Sequence, residues 1–530
     1  MPAQLSTRAQ VNGYRFLLRR LDHALVRRDV RMLHDPMRSQ FRSLMVGAVL
    51  ALLVVAGAAI MAFIRPQGSI GNANIVMGKD SGALYVVVRD KDDKNKMTLY
   101  PALNLASARL LSGTSESPTS VKDSKLSSVP RGPIRGIPGV PAALPGSGQG
   151  DRSQWTLCDK IPLSASGGAA SSTGAETTVI AGSLHLNDHI KAVDPGSAVL
   201  VKRADDKNKD LVHTYLIYDG KIAEVNPDND PVTQKALAQV LDLSTARPVS
   251  ANLVGAGVTA PPLVAPTIPH SGENDGPGRL STVKVGSIIK VAALDGSGRS
   301  DLYVVLENAI QRVSLFTAQF ITIANTKNQN PDGFTAVTPD MIAGIPVKHA
   351  NDKNDPGLPV DDFPSVPPKI ISAAENPVAC ITWAKKDGFG KDQSDVTESP
   401  SDWASVRLLL GTRWPLSDSQ APVALATAEG TAGVRLNGVY VPPSTGEFVE
   451  ATGAKPGSQE RDGLYYVADN GIRYSIPDIK TAQILGLETR ARLAPYSIVG
   501  TLISGPTLSV EDAQKSWDTL PPLCDKPCPK

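Results

Sequence analysis

The chain has 530 residues, with 54 lysines and arginines against 52 aspartates and glutamates and a formal net charge of +2. So even an overall balance gives the chain no general basic excess, and no nucleic-acid partner is expected. With 41% hydrophobic residues the chain is too apolar for a disordered protein and long enough to bury several cores.

Residues 1–42 carry nine arginines against Asp22, Asp29 and Asp35, a net of +6, which leaves −4 for the remainder. Tyr14, Leu17, Leu18, Leu21 and Leu25 recur at helical spacing, with Arg15, Arg19, Arg20, Arg27 and Arg28 between and after them. This predicts an amphipathic helix, opened by a capping box at Thr7-Arg8-Ala9-Gln10 and closed before Asp35-Pro36. Its apolar face could lie on lipid headgroups or dock a partner, and the pattern leaves both open.

Ser43 to Ile64 is an uncharged apolar run, about 33 Å long as a helix, which matches a hydrocarbon core of about 30 Å. One membrane span is predicted, with the arginine-rich side in the cytoplasm and some 466 residues outside. A cleaved signal peptide fits less well, because its basic region and apolar core are both much shorter.

The outer part is rich in glycine (45) and proline (42), with short Val/Ile/Tyr runs between turn signals, as β-leaning extracytoplasmic proteins are. All four cysteines, Cys158, Cys380, Cys524 and Cys528, fall there, where disulfides are permitted. Cys158 and Cys380 sit in mirrored contexts, Trp155-x-x-Cys158 and Cys380-x-x-Trp383, and are expected to pair and staple a central domain. Cys524 and Cys528 could pair locally or stay free.

Four stretches repeat a strand, a turn and a second strand, three of them with a helical tail. They are Leu84–Val88 with Leu99–Pro101, Tyr215–Tyr218 with Ile222–Val225, Leu302–Leu306 with Ile310–Val313, and Leu464–Val467 with Ile472–Ile476. Asp219-Gly220 and Asn470-Gly471 are tight-hairpin signals, because the favoured turns need positive φ. Three Pro/Gly-rich stretches, 129–150, 255–277 and 351–368, are expected to be extended connectors outside any packed core. Charged segments 91–96 and 205–209 are expected to be solvated hairpin tips rather than calcium loops, given their interleaved lysines.

The fold class is therefore α+β: a cytoplasmic amphipathic helix, one transmembrane helix, and an elongated β-rich periplasmic domain with a stapled centre and four hairpin-plus-helix modules. The expected divisions are 1–42 and 43–64 for the two helices, then 65–120, 201–250, 286–345 and 431–518 for the modules. Residues 121–200 and 346–430 form the centre, 251–285 a linker and 519–530 a tail.

Catalytic motifs are missing. Gly78-Lys79, Gly220-Lys221 and Gly390-Lys391 lack the Ser/Thr and the upstream glycine of a P-loop, and His185 and His189 lack the intervening glutamate of a zinc-protease pair. No catalytic, metal or cofactor-binding residue is predicted.

The string Leu5-Ser6-Thr7-Arg8-x-Gln10-Val11-x-Gly13-Tyr14-Arg15-Phe16-Leu17-x-Arg19-Arg20, with Asp35-Pro36 before a single span, resembles the EccB family of mycobacterial ESX (type VII) secretion systems. Asp80–Val86, Leu99–Leu110, Arg131-Gly132-Pro133 and Gly136-Ile137-Pro138-Gly139 carry the same resemblance, which extends over nearly the whole chain. It implies an inner-membrane, sixfold complex with the EccC ATPase, EccD, EccE and a mycosin protease, in which this chain builds the periplasmic part. The family is sometimes catalogued as an ATPase. The short cytoplasmic arm and the missing nucleotide motif argue against that activity, and a peptidoglycan- or substrate-binding module is the other class to weigh.

Overall fold

The computed structural model describes residues 7–28, 36–64, 70–90, 92, 96–141, 143–163, 175–203, 213–293, 298–325, 333–389, 402–425 and 436–518. Its contacts define two compact units, one of residues 1–72, 78–81 and 120–128, the other of 73–77, 82–119 and 129–530.

In the first unit, helix α1 spans Arg8–Arg27. The Thr7 N–H donates to Gln10 Oε1 at 2.9 Å, and the helix ends where Arg28 turns left-handed at φ 55° and donates its N–H to Ala24 O. Helix α2 spans Pro36–Ile64 and contains the apolar stretch Phe41–Met61, the one candidate membrane span among the described residues. It begins seven residues before the apolar run. Proline is tolerated in a first turn, where its missing N–H has no partner to lose, so Pro36 starts this helix.

The second unit is built on a seven-stranded sheet whose four longest neighbours are Glu176–Ala181, Ser153–Lys160, Val378–Lys385 and Ser405–Gly411, all antiparallel. Alternation gives this sheet two apolar faces. Trp155, Leu157, Ile381 and Trp383 occupy one; Cys158, Val378, Cys380 and Leu409 occupy the other.

Three further sheets share one strand order. Ser197–Arg203, Thr214–Tyr218 and Lys221–Val225 form an antiparallel meander, followed by helix Pro231–Val240, a strand Arg247–Val249 parallel to the first, helix Ala251–Ala256, and a strand Val258–Thr259 parallel to the third. The same succession runs from Ile288–Ala292 to Val347–Lys348, and from Gly446–Thr452 to Ile503–Ser504. Near the start of the unit, Ile75–Gly78, Leu84–Arg89 and Met97–Pro101 form another meander, followed by helix α3, Leu105–Ser112.

These sheets associate in nested pairs. Helices Pro231–Val240 and Leu315–Ala324 pack together, so the second and third share one core containing Leu237, Phe316 and Phe320. Ala106 and Leu110 of α3 share another with Tyr466, Tyr474 and Ala482, which brings the first and last together. Burying a side chain of that size stabilises by about 1.5–3 kcal/mol, so each shared core accounts for a substantial part of its pair's stability.

The three Pro/Gly-rich connectors differ from expectation, because each places apolar residues in a core. Ile137 joins the first-and-last core, while Ala260 with Leu263, and Val360 with Phe363, join the other. Extended backbone makes no hydrogen bonds of its own, and side chains supply donors instead. Tyr474 Oη donates to Gly139 O at 2.9 Å, Tyr466 Oη to Pro145 O at 3.0 Å and Trp517 Nε1 to Gly136 O at 2.7 Å. Most of the charged tips at 91–96 and 205–209 lies outside the described residues.

Candidate assembly surfaces and the disulfide-bonded centre

Strands Ser153–Lys160 and Val378–Lys385 pair in a register that sets Cys158 opposite Cys380, Thr156 opposite Thr382 and Trp155 opposite Trp383. Cys158 and Cys380 are bonded, with Cα atoms 4.0 Å apart, and both are buried. Thr156 Oγ1 donates to Thr382 Oγ1 at 2.9 Å on the same face. The second pair, Cys524 and Cys528, lies outside the described residues.

Polar side chains couple this sheet to its neighbours. Asp159 is fully buried and accepts from Ser250 N at 2.6 Å, Ser250 Oγ at 3.0 Å and Thr177 Oγ1 at 2.8 Å. Burial pushes its carboxyl up to about 6 despite those bonds. Ser250 is the N-cap of Ala251–Ala256 and accepts from Leu253 N, so one carboxylate joins the central strand to a helix end of the second sheet. Arg247, 1% exposed, donates through Nη1 to Asn376 O at 2.6 Å and through Nη2 to Ile371 O at 2.9 Å, and burial lowers its guanidinium to about 10.

A comparable junction ties the last sheet to the connector at 147–150. Buried Glu447 accepts from Ser147 Oγ at 2.6 Å and Gly148 N at 3.1 Å, while Arg492 Nε donates to Gly150 O at 2.6 Å. Arg492 also pairs with Glu488 at 2.8 Å and lies 5.1 Å from the Phe389 ring centroid. Burial raises the Glu447 carboxyl, offset by the Ser147 and Gly148 bonds and by the Arg492 charge. These four charged residues escape sequence reasoning because most of their partners are backbone groups and hydroxyls distant in the chain, Glu488 beside Arg492 being the exception. Only the Ser250-x-x-Leu253 helix start carries a local signal.

The predicted N-terminal residues present an uncovered surface. Tyr14, Leu17, Leu21 and Leu25 of α1 are 60–73% exposed, and Arg15, Arg19 and Arg20 are exposed beside them. Arg28 is the left-handed cap, and the side chain of Arg27 lies outside the described residues.

Of the Gly-Lys pairs set aside above, Gly390-Lys391 lies outside the described residues. Lys221, of Gly220-Lys221, pairs with Asp362 at 2.7 Å at the end of a hairpin. His185 and His189 are both exposed, His189 in a turn where its N–H donates to Asn187 Oδ1. Among the described residues no three His, Cys, Asp or Glu side chains are gathered for a metal.

One candidate membrane span and a disulfide-bonded unit of mixed α+β fold define the class as a candidate single-span membrane protein. Residues 3–522 match the family model described as "Type VII secretion system ESX-1, transport TM domain B". The chain is 34% identical to the ESX-3 secretion system ATPase EccB3 of Mycolicibacterium smegmatis, over 97% of this chain and 91% of that one. It is 33% identical to the ESX-5 secretion system ATPase EccB5 of Mycobacterium tuberculosis, over 98% and 94%. Among solved structures it resembles a chain of an intact ESX-5 inner membrane complex, with a TM-score of 0.63 and 30% identity over 100% of this chain and 99% of that one. It also resembles the EccB3 dimer of the ESX-3 core complex, with a TM-score of 0.63 and 29% identity over 84% and 100%. The chain belongs to the EccB family of type VII secretion components.

Proposed function

We propose that this chain is a structural core component of an inner-membrane type VII secretion complex, building and holding the part outside the membrane. Family membership over residues 3–522, together with similarity to a chain from an intact ESX-5 inner membrane complex, carries this reading. Nine arginines before the span keep the N-terminus in the cytoplasm and place the disulfide-bonded unit in the periplasm. The three sheets of common strand order and the first meander are copies of one small module, paired outer with outer and inner with inner. The copies of this chain assemble with sixfold symmetry, alongside EccC, EccD, EccE and a mycosin protease, and α1 supplies the cytoplasmic contact.

Purification of the tagged full chain from its own membranes in mild detergent, followed by native mass analysis, tests this. A megadalton particle containing a P-loop ATPase and a multi-span subunit supports it; a lone monomer overturns it. The names of the curated relatives carry the word ATPase. Hydrolysis belongs to the partner ATPase, so the partner-free chain should release no phosphate from ATP above a buffer control.

A further inference from the structure

At one end of the central sheet, where strand Ser153–Lys160 begins and Val378–Lys385 finishes, lies an open cavity of about 470 Å3. Among the described residues its lining includes Arg152, Lys385, Lys386 and Trp403 and no acidic side chain. Lys385 is 4% exposed and its ammonium donates to the Asp402 carbonyl at 2.6 Å, which holds that charge in the wall. Arg152 and Lys386 are exposed, and neither is in an ion pair among the described residues. Asp151, Asp387 and Asp402 neighbour these cations in the chain without lining the cavity, and Asp387 Oδ1 accepts from the Phe389 N–H.

The aromatic member is held in place. Trp403 is 42% exposed, yet a Cβ at Gly457 would stand 2.6 Å from its ring, so the backbone of another loop lies directly against the indole. Gly457 has φ +70°, a conformation that suits the missing side chain. Arg152 and Lys386 are like charges beside one opening and repel each other, and a fixed indole leaves apolar surface in water. A ligand with an oxyanion on an apolar-faced ring relieves both costs at once. Guanidinium geometry matches carboxylate or phosphate oxygens, and the indole offers a flat apolar face with a polar N–H at its edge.

We propose that this cavity is a binding site for a sugar acid or sugar phosphate, its oxyanion held between Arg152 and Lys386 and its ring laid on Trp403. The site uses no residue of the membrane span or of the shared module cores, so its occupancy is measurable without the assembled complex.

The test is calorimetric titration of the full chain in mild detergent with glucuronic acid, glucose 6-phosphate, glucose and inorganic phosphate. Saturable binding by at least one anionic sugar, with glucose at least about tenfold weaker, supports the site, and the tighter of the two acids identifies the oxyanion source. The double variant Arg152→Gln with Lys386→Gln should weaken the anionic sugar at least about tenfold. Trp403→Ala should weaken the sugar while leaving inorganic phosphate unchanged. Both cations are exposed, and an unchanged urea midpoint confirms that the variants fold. Equal binding of glucose, undiminished binding by the double variant, inorganic phosphate as tight as the sugar phosphate, or no saturable binding would each overturn the proposal.

Discussion

Trp155 and Trp383 stand directly opposite each other across the strand pair that also carries the Cys158–Cys380 bond, on the other face of the sheet. The bond covers one face and the indoles the other, so a single register is held from both sides.

Removing the bond therefore tests stability more than register. It closes a loop of 222 residues, for which chain entropy credits roughly 5 kcal/mol, an upper figure. The double variant Cys158→Ser with Cys380→Ser should lose about 2–5 kcal/mol in urea unfolding of the full chain, with the tryptophan near-ultraviolet dichroism kept. An unchanged midpoint would contradict this account.

Asp159 predicts a pH dependence of definite sign. Its folded value of about 6 lies above the ordinary aspartate value of 3.8, so between the two the native state holds a proton that the unfolded chain has lost. Stability from this group is full below the unfolded value and falls as pH rises through about 6, by up to about 3 kcal/mol. Asp159→Asn should flatten that slope between pH 4 and about 6. A slope identical in both proteins would assign the effect to other groups.

Two glycines with similar φ separate close approach from backbone strain. Gly220 has φ +73° and its Cβ would stand 2.4 Å from Val406 O, whereas Gly82 has φ +67° with nothing within 4 Å. Gly82→Ala should cost about 1 kcal/mol, and Gly220→Ala about 1–3 kcal/mol more, because the hairpin turn must lift off the central sheet. Thermal unfolding of the two variants side by side measures the difference.

Orientation is open to direct assay. Protease added to the outside of intact spheroplasts should degrade the chain beyond residue 64 and leave a tag at residue 1 protected; degradation of the tag first would invert the topology.

Much of this architecture was written locally. Mirrored Trp-x-x-Cys and Cys-x-x-Trp strings are the mark of an antiparallel pair, since opposed positions there have a constant sum of residue numbers. The apolar run and Asp219-Gly220 announce themselves in the same way. The connectors misled because proline and glycine report backbone conformation, not burial, and it takes the folded last sheet to offer Tyr466 and Tyr474 to the backbone at 139–145. Asp159 and Ser250 were invisible as a pair for a related reason: 91 residues separate them, and neither has a local pattern that names the other.

The nested pairing also imposes a timetable. As the chain leaves the ribosome, α3 emerges more than three hundred and fifty residues before Tyr466 and Tyr474, while the inner pair can close after some two hundred. Ala106, Leu110 and Ile137 must wait through most of synthesis with their apolar surfaces unclaimed. Maturation should thus proceed from the middle of the chain outward, and the newborn first segment is where a folding helper has most to protect.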